Sequence, residues 1–222
     1  MKDNNIRALI FDMDGVLLDS EPFHLLSYQE ILSEYGINYT ESDNREFLGR
    51  KDLLILETMR ARYGLDKPAH LLLSQKEAIL ARLIKQHSTP NPGLITVLEN
   101  ARSLGVSMAV ASSATLPTIE LVVDVLFIRS YFQHLISGDE VEEGKPAPDI
   151  FLLASSRLGI EPQQCLVIED SLNGIKAAKA AGMYCISIPC NTTRHQDHSL
   201  ADRQLTSLEE LKLNDWCRAI LT

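Results

Sequence analysis

FDMDGVLLDS, Phe11 to Ser20, places three aspartates within ten positions, directly behind the apolar run Ile6 to Ile10. A buried strand that runs straight into carboxylates suits the crevice beyond the carboxyl ends of an open parallel sheet, where such folds bind ligands. Four further stretches can line up beside it. Val106–Ala111, His134–Ser137, Cys165–Ile168 and Met183–Ile188 are short and apolar, and they alternate with helix-like segments at Leu94–Ser103, Leu116–Leu126, Asp149–Leu158 and Leu172–Ala180. The alternation predicts an α/β fold: a doubly wound, Rossmann-like parallel sheet covered by helices on both faces. Gly105, Gly159 and Gly182 fall just past helical segments, where left-handed C-caps are expected.

Residues 21–87 break the rhythm. FHLLSYQEIL, KDLLILETMRARY and HLLLSQKEAILARLI carry helical patterns and no strand, so this stretch reads as a helical insertion with Leu53-Leu54-Ile55 and Leu71-Leu72-Leu73 in its core. Ser88-Thr89-Pro90-Asn91-Pro92-Gly93 cannot sustain a helix and suits a hinge between two bodies. The expected division is a core of residues 1–18 and 91–222 interrupted by a helical domain of residues 19–90. Beyond Asn191 the chain is polar, with one short helix expected at Ser207–Leu221.

With 45% hydrophobic and 23% charged residues over 222 positions, the chain has the make-up of a soluble protein large enough for one full core and a smaller domain. Its net charge of -9 opposes general affinity for nucleic-acid phosphates. No nucleic-acid partner is therefore expected, and any phosphate recognition must come from a local site. No apolar run approaches membrane-spanning length, and the apolar stretch behind the polar start is too short for a secretory signal. No membrane association and a cytoplasmic location are expected. The four cysteines, Cys165, Cys185, Cys190 and Cys217, lack CxxC spacing and read as buried thiols rather than a disulfide framework.

Three other strand ends carry polar groups. Val106–Ala111 runs into Ser112 and Ser113, the third strand leads through Gly138 and Asp139 to Lys145, and Cys165–Ile168 runs into Glu169-Asp170-Ser171. Gathered at one sheet edge with Asp12 and Asp14, they would surround a common point with carboxylates, hydroxyls and one ammonium. That set suits a divalent cation such as Mg²⁺ and a phosphoryl group, with Asp12 and Asp170 as the leading ligands. Lys145 and the cation would offset the repulsion between an anionic nucleophile and an anionic phosphate. Asp12 is then the candidate nucleophile, Asp14 the general acid-base, and Ser112 a donor to a phosphoryl oxygen.

DMDGVLLDS, the apolar run ending in Ser112, GKPAPDIF at Gly144–Phe151 and IEDSLNGIKAAKAAGM at Ile168–Met183 together resemble the haloacid dehalogenase superfamily. The likeness is to its branch with a helical cap inserted after the first motif, which includes sugar-phosphate phosphatases and β-phosphoglucomutase. The resemblance implies Asp12 as the aspartyl-phosphate nucleophile, Asp14 as the acid-base, and Mg²⁺ held by Asp12, the Asp14 carbonyl, Asp170 and Glu169, the last as ligand or outer partner. It implies phosphate held by Ser112 and Lys145, with Ser113 a further candidate, and a small-molecule phosphate ester as substrate. A monomer or weak dimer is expected. A true dehalogenase lacks the second aspartate of the first motif, so Asp14 points to phosphoryl transfer. Asp19 and Ser20 resemble a structural element near the hinge.

Other readings compete at single positions. A calcium loop would need oxygen ligands where Val16, Leu17 and Leu18 stand. Ser112 and Ser113 could cap the following helix, and Asn173 and Gly174 fit turn and helix-start chemistry. His24 either faces the active site from the first cap helix or lies on a helix surface. His195 and His198 lack further ligands nearby and read as a polar solvated loop. Phosphatase is preferred to β-phosphoglucomutase because the mutase carries a cap arginine three residues after a glycine. Here Gly49 is followed by Arg50 and Lys51, the cap candidates for substrate contact, and Asp52 stands at the arginine's place. A phospho-aspartate signalling receiver would carry its nucleophile on the third strand, the reverse of this order.

Overall fold

The computed structural model describes residues 6–47 and 52–216. Six strands, β1 (Ala8–Phe11), β2 (Ser107–Ser112), β3 (His134–Ser137), β4 (Cys165–Glu169), β5 (Tyr184–Ser187) and β6 (Arg203–Gln204), form one sheet in the order β3-β2-β1-β4-β5-β6. Every pairing is parallel. Eight α-helices occur among the described residues: α1 (Glu21–Ser33), α2 (Glu41–Asn44), α3 (Asp52–Tyr63), α4 (Ala69–His87), α5 (Leu94–Ser103), α6 (Leu116–Val125), α7 (Asp149–Leu158) and α8 (Leu172–Ala180). The doubly wound α/β architecture expected from the alternation is the one observed.

Strand alternation explains why both sheet faces are apolar. Ala8 and Ile10 of β1, Ala109 and Ala111 of β2, and Cys165 and Val167 of β4 join one core with Ile150, Phe151 and Ala154 of α7 and Ile175, Ala177 and Ala178 of α8. The alternate residues Leu9, Phe11, Met108, Val110, Leu166 and Ile168 point the other way and are buried as well. Gly105, Gly159 and Gly182 adopt the expected positive φ, at 67°, 66° and 75°.

The chain divides into two compact units, Met1–Asp19 with Ser88–Thr222, and Ser20–His87. The second holds only helical elements among its described residues, with its own core of Tyr28, Ile31, Leu32, Tyr39, Ile55, Leu56, Met59 and Leu72. The two apolar triplets enter that core only in part. Ile55 and Leu72 are buried, whereas Leu53, Leu54 and Leu71 are exposed, because consecutive helical residues point in different directions and cannot all face one core.

Past β5 the chain departs from expectation. β6 consists of two exposed polar residues, Arg203 and Gln204, with no apolar signal to betray it. The helix expected at 207–221 is instead a pair of 3₁₀ turns, Leu208–Glu210 and Leu213–Asp215, and the residues after Trp216 lie outside those described. Leu205, Leu208 and Leu211 are all buried.

Candidate active site

The parallel register sets the site. Phe11 pairs with Val110 on one side and Ile168 on the other, so Asp12, Ala111 and Glu169 come next on three adjacent strands. The Asp12 N–H still donates to the Ile168 carbonyl at 3.0 Å, which holds Asp12 to the end of the ladder. Asp12 is 8% exposed, Glu169 0% and Asp170 6%, and one carboxylate oxygen from each lies within 4.8 Å of the others. Three carboxylates driven together out of water call for positive charge.

Lys145 supplies part of it. Its ammonium donates to Asp12 Oδ1 at 2.5 Å, Glu169 Oε1 at 2.7 Å and the Ala111 carbonyl at 3.2 Å, and it sits 4.9 Å from the centre of the Phe151 ring. Burial pushes Lys145 down, but the Asp12 and Glu169 charges outweigh it and hold the ammonium above its ordinary range. One lysine does not satisfy the carboxylates. Burial, with help from the neighbouring Glu169, Asp170 and Asp14 charges, raises Asp12 well above the usual carboxylate range against the pull of Lys145. Burial and the Glu169 charge likewise push Asp170 up to about 7. A divalent cation among these oxygens would relieve that excess, and hard carboxylates are the donors Mg²⁺ takes. The residues present fit the ion.

Glu169 has other partners. Beyond Lys145 on Oε1, its Oε2 accepts the N–H groups of Asp170 and Ser171 at 2.9 Å each and the Ser171 hydroxyl at 3.0 Å. Ser171 also caps α8, accepting from the Gly174 N–H, so the partly positive N-terminus of this helix seats the Glu169 carboxylate. Gly174 is required by close approach. A Cβ there would lie 1.7 Å from Glu169 Oε1, a tertiary contact beyond the helix-start role expected for it, whereas Asn173 is exposed. Gly15 does the same for Asp170 at φ +82°, with a Cβ placed 2.5 Å from Asp170 Oδ2.

Asp14 lies two residues past Asp12 and is only partly buried, so the two aspartates have different environments. Its loop is closed by the Gly15 N–H to the Leu18 carbonyl at 2.8 Å and tied from outside by Asn91. The Asn91 amide donates to the carbonyls of Gly15 at 2.9 Å and Val16 at 3.0 Å, and its backbone N–H to Leu17 at 2.9 Å. The reading of 88–93 as a hinge missed this tie, because a link of Asn91 to residues so far back along the chain has no sequence signal.

Ser112 ends β2, is 1% exposed, and accepts the Ala114 N–H at 3.1 Å; Ser113 is exposed. Neither caps the following helix, whose N-cap is Thr115. Cys165 and Cys185 are buried free thiols, Cys190 is partly buried, and Cys217 lies outside the described residues. His195 is exposed, but His198 overturns the solvated-loop reading: it is 6% exposed and bonded through both ring nitrogens, to Ser187 and to the Thr193 carbonyl. Burial of a polar segment by loop packing leaves no periodic trace.

In the helical unit, Lys76 is fully buried and donates to Asp52 Oδ2 at 2.5 Å, with His24 Nδ1 at 2.8 Å. The Tyr28 hydroxyl donates to Asp52 Oδ1 at 2.6 Å. His24 thus belongs to a polar network inside its own unit. Arg50 and Lys51 lie outside the described residues.

A family model for haloacid dehalogenase-like hydrolases matches residues 6–182. Protein CbbY of Cereibacter sphaeroides is 34% identical over 93% of this chain and 94% of its own length. A phosphorylated carbohydrates phosphatase of Thermotoga maritima is 35% identical over 80% of this chain and 82% of its own. The crystal structure of CbbY from Rhodobacter sphaeroides in complex with phosphate superposes with a TM-score of 0.81 at 32% identity, covering 93% of this chain and 96% of that one. With the motif order, the strand-end carboxylates and these likenesses in agreement, the chain belongs to the haloacid dehalogenase-like hydrolase family.

Proposed function

We propose that the protein is a Mg²⁺-dependent phosphatase of small phosphorylated carbohydrates that works through an aspartyl phosphate on Asp12. The observation that carries the reading is Lys145 bridging Asp12 and Glu169 beside Asp170 at the ends of parallel strands. The relatives named for phosphorylated carbohydrates support the substrate class. When bound by Asp12, Asp170 and the Asp14 carbonyl, Mg²⁺ would supply charge neutralisation between the carboxylate and the phosphoryl oxygens. Glu169, with both oxygens engaged by lysine, amide and hydroxyl donors, acts as an outer partner that orients Lys145.

Asp12 attacks phosphorus through a carboxylate oxygen, forming the P–O bond to the enzyme as the P–O bond to the sugar breaks. Asp14, in its more solvated position, gives its proton to the departing sugar oxygen. It then takes a proton from the water that attacks the aspartyl phosphate, and the P–O bond to Asp12 breaks to restore the carboxylate and release inorganic phosphate. Ser112 accepts from Ala114, and its hydroxyl proton is the one to donate to a phosphoryl oxygen. Ser113 offers a second hydroxyl at the rim, and Lys145 holds the transferring oxygens by charge.

A mutase must grip a second phosphate while its intermediate turns round. At the position where the mutase has an arginine, this chain has Asp52, whose carboxylate is engaged by Lys76 and Tyr28, so phosphate release is the expected outcome. The test supplies hexose, pentose and polyol phosphates with Mg²⁺, and β-glucose 1-phosphate with a trace of glucose 1,6-bisphosphate. Phosphate release that EDTA stops, Mg²⁺ restores and Asp12→Asn abolishes is expected. Isomerisation to glucose 6-phosphate far outrunning phosphate release would overturn the phosphatase reading, and turnover by Asp12→Asn at the wild-type rate would overturn the nucleophile.

A further inference from the structure

Asp170 is held from a direction that the strand-end motifs do not include. Its Oδ2 accepts the Thr193 hydroxyl at 3.1 Å and the Cys190 thiol at 3.1 Å. Both donors sit on the turn after β5, and the turn is itself tied: the Cys190 N–H donates to Thr193 Oγ1 at 3.0 Å, and the Arg194 N–H to the Cys190 carbonyl at 3.0 Å. Two acceptors lie within reach of the Thr193 hydroxyl, Asp170 Oδ2 at 3.1 Å and the Cys190 sulfur at 3.3 Å, and the charged carboxylate, the stronger acceptor, takes the proton. Thr193 is 9% exposed, so this bond is screened little by water.

The turn is latched to the sheet through His198. The Thr193 carbonyl can only accept, so His198 Nε2, 2.9 Å away, carries the ring proton. In the neutral ring Nδ1 then accepts from the Ser187 hydroxyl at 2.7 Å. Ser187 is fully buried on β5 and pairs with Glu169 in the parallel register. A continuous line therefore runs from β5 through Ser187, His198 and the Thr193 backbone to the Asp170 carboxylate.

We infer that Thr193 and Cys190, latched by His198, are positioning residues for Asp170: by donating to Oδ2 they fix the carboxylate in the orientation from which it would hold the cation. The inference rests on the metal reading given above. Outer partners of a metal-holding carboxylate fix its rotamer before the ion arrives, and their loss costs metal affinity on the order of 10- to 100-fold. The thiol is the weaker donor, so Thr193 carries most of the effect.

The direct test is Mn²⁺ binding to the full-length protein without substrate, read from the free-ion signal in electron paramagnetic resonance, beside the Mg²⁺ activation constant for phosphate release. Thr193→Val keeps the shape and removes the hydroxyl. We expect it to weaken Mn²⁺ binding and raise the Mg²⁺ activation constant by about tenfold, with kcat at saturating Mg²⁺ changed much less. Thr193→Ser restores the donor and both constants. Should Thr193→Val fail to fold by circular dichroism, Cys190→Ala decides, with a weakening of about threefold or more expected. Binding within twofold of wild type in the folded variant overturns the positioning role and leaves the metal reading standing. Wild-type protein that binds no Mn²⁺ and keeps its activity through exhaustive chelation overturns both.

Discussion

Lys145 and Gly174 show how much rests on single atoms at this sheet edge. Lys145 reaches both Asp12 and Glu169, so Lys145→Met leaves two buried carboxylates facing each other and, in the proposed reaction, the phosphoryl oxygens without a fixed charge. A loss of at least about 100-fold in kcat/KM is expected, the scale for one preorganised electrostatic partner; a loss under tenfold would place the ammonium away from the reacting phosphate. Gly174 tests the same seat through sterics. In a helix, alanine ordinarily gains about 1 kcal/mol over glycine, but here its Cβ would fall 1.7 Å from Glu169 Oε1, which Lys145 holds, on a carboxylate whose Oε2 is fixed by three further donors. Overpacking of about 1–3 kcal/mol should win. Gly174→Ala is expected to lower the urea midpoint and activity together, and a more stable, fully active variant would show that Glu169 is free to move aside.

At the scale of the element, α6 ends in the wrong residue for its geometry. The Phe127 N–H donates to Asp124 and the Ile128 N–H to Val123, the Schellman pattern that puts its C′ residue in the left-handed region. Phe127 occupies that place at φ 57° and is 90% exposed. The left-handed conformation costs an L-residue about 1–2 kcal/mol, and the exposed ring returns little by burial. Glycine there loses more unfolded-state freedom, about 0.5–1 kcal/mol, so Phe127→Gly should still gain a few tenths to about 1 kcal/mol. Differential scanning calorimetry should show a rise of roughly 1–3 °C in a chain of this size, with activity unchanged; a lower midpoint would mean that the ring packs after all.

Over the whole molecule, two units with separate cores should report damage separately. Asp52→Asn removes the charge that faces the fully buried Lys76, and orphaning a buried ammonium costs about 3 kcal/mol or more. Amide hydrogen exchange should speed up in α1, α3 and α4 and stay slow in β1 and β4; equal acceleration in both units would show one cooperative body. The pH dependence follows from the direction of the Asp52 shift. Burial raises its pKa, but Lys76, His24 and the bonds from Lys76 and Tyr28 outweigh that and hold it below the ordinary carboxylate value. A depressed carboxylate stabilises the fold above its unfolded pKa of about 3.9 and loses that contribution as pH falls through the folded value. Wild type and Asp52→Asn should therefore differ most near neutrality and converge below about pH 4.

From the amino-acid sequence alone came the elements with strong local signals. α5, α7 and α8 run over the residues that helical periodicity predicts, and the apolar strands were legible because a strand buried on both faces is apolar throughout. The order of Asp12, Ser112, Lys145 and Asp170 behind successive strands was legible for the same reason: a parallel sheet brings strand ends to one edge whatever the chain length between them. Tertiary structure decided the rest. β6 has two exposed polar residues and is held by its neighbour β5. Asn91 on the Asp14 loop, Gly174 beneath Glu169, the Lys76–Asp52 pair and the His198 latch behind Asp170 join residues far apart in the chain or act through loop packing. Such contacts depend on distances that only the folded backbone sets, and neither periodicity nor composition encodes them.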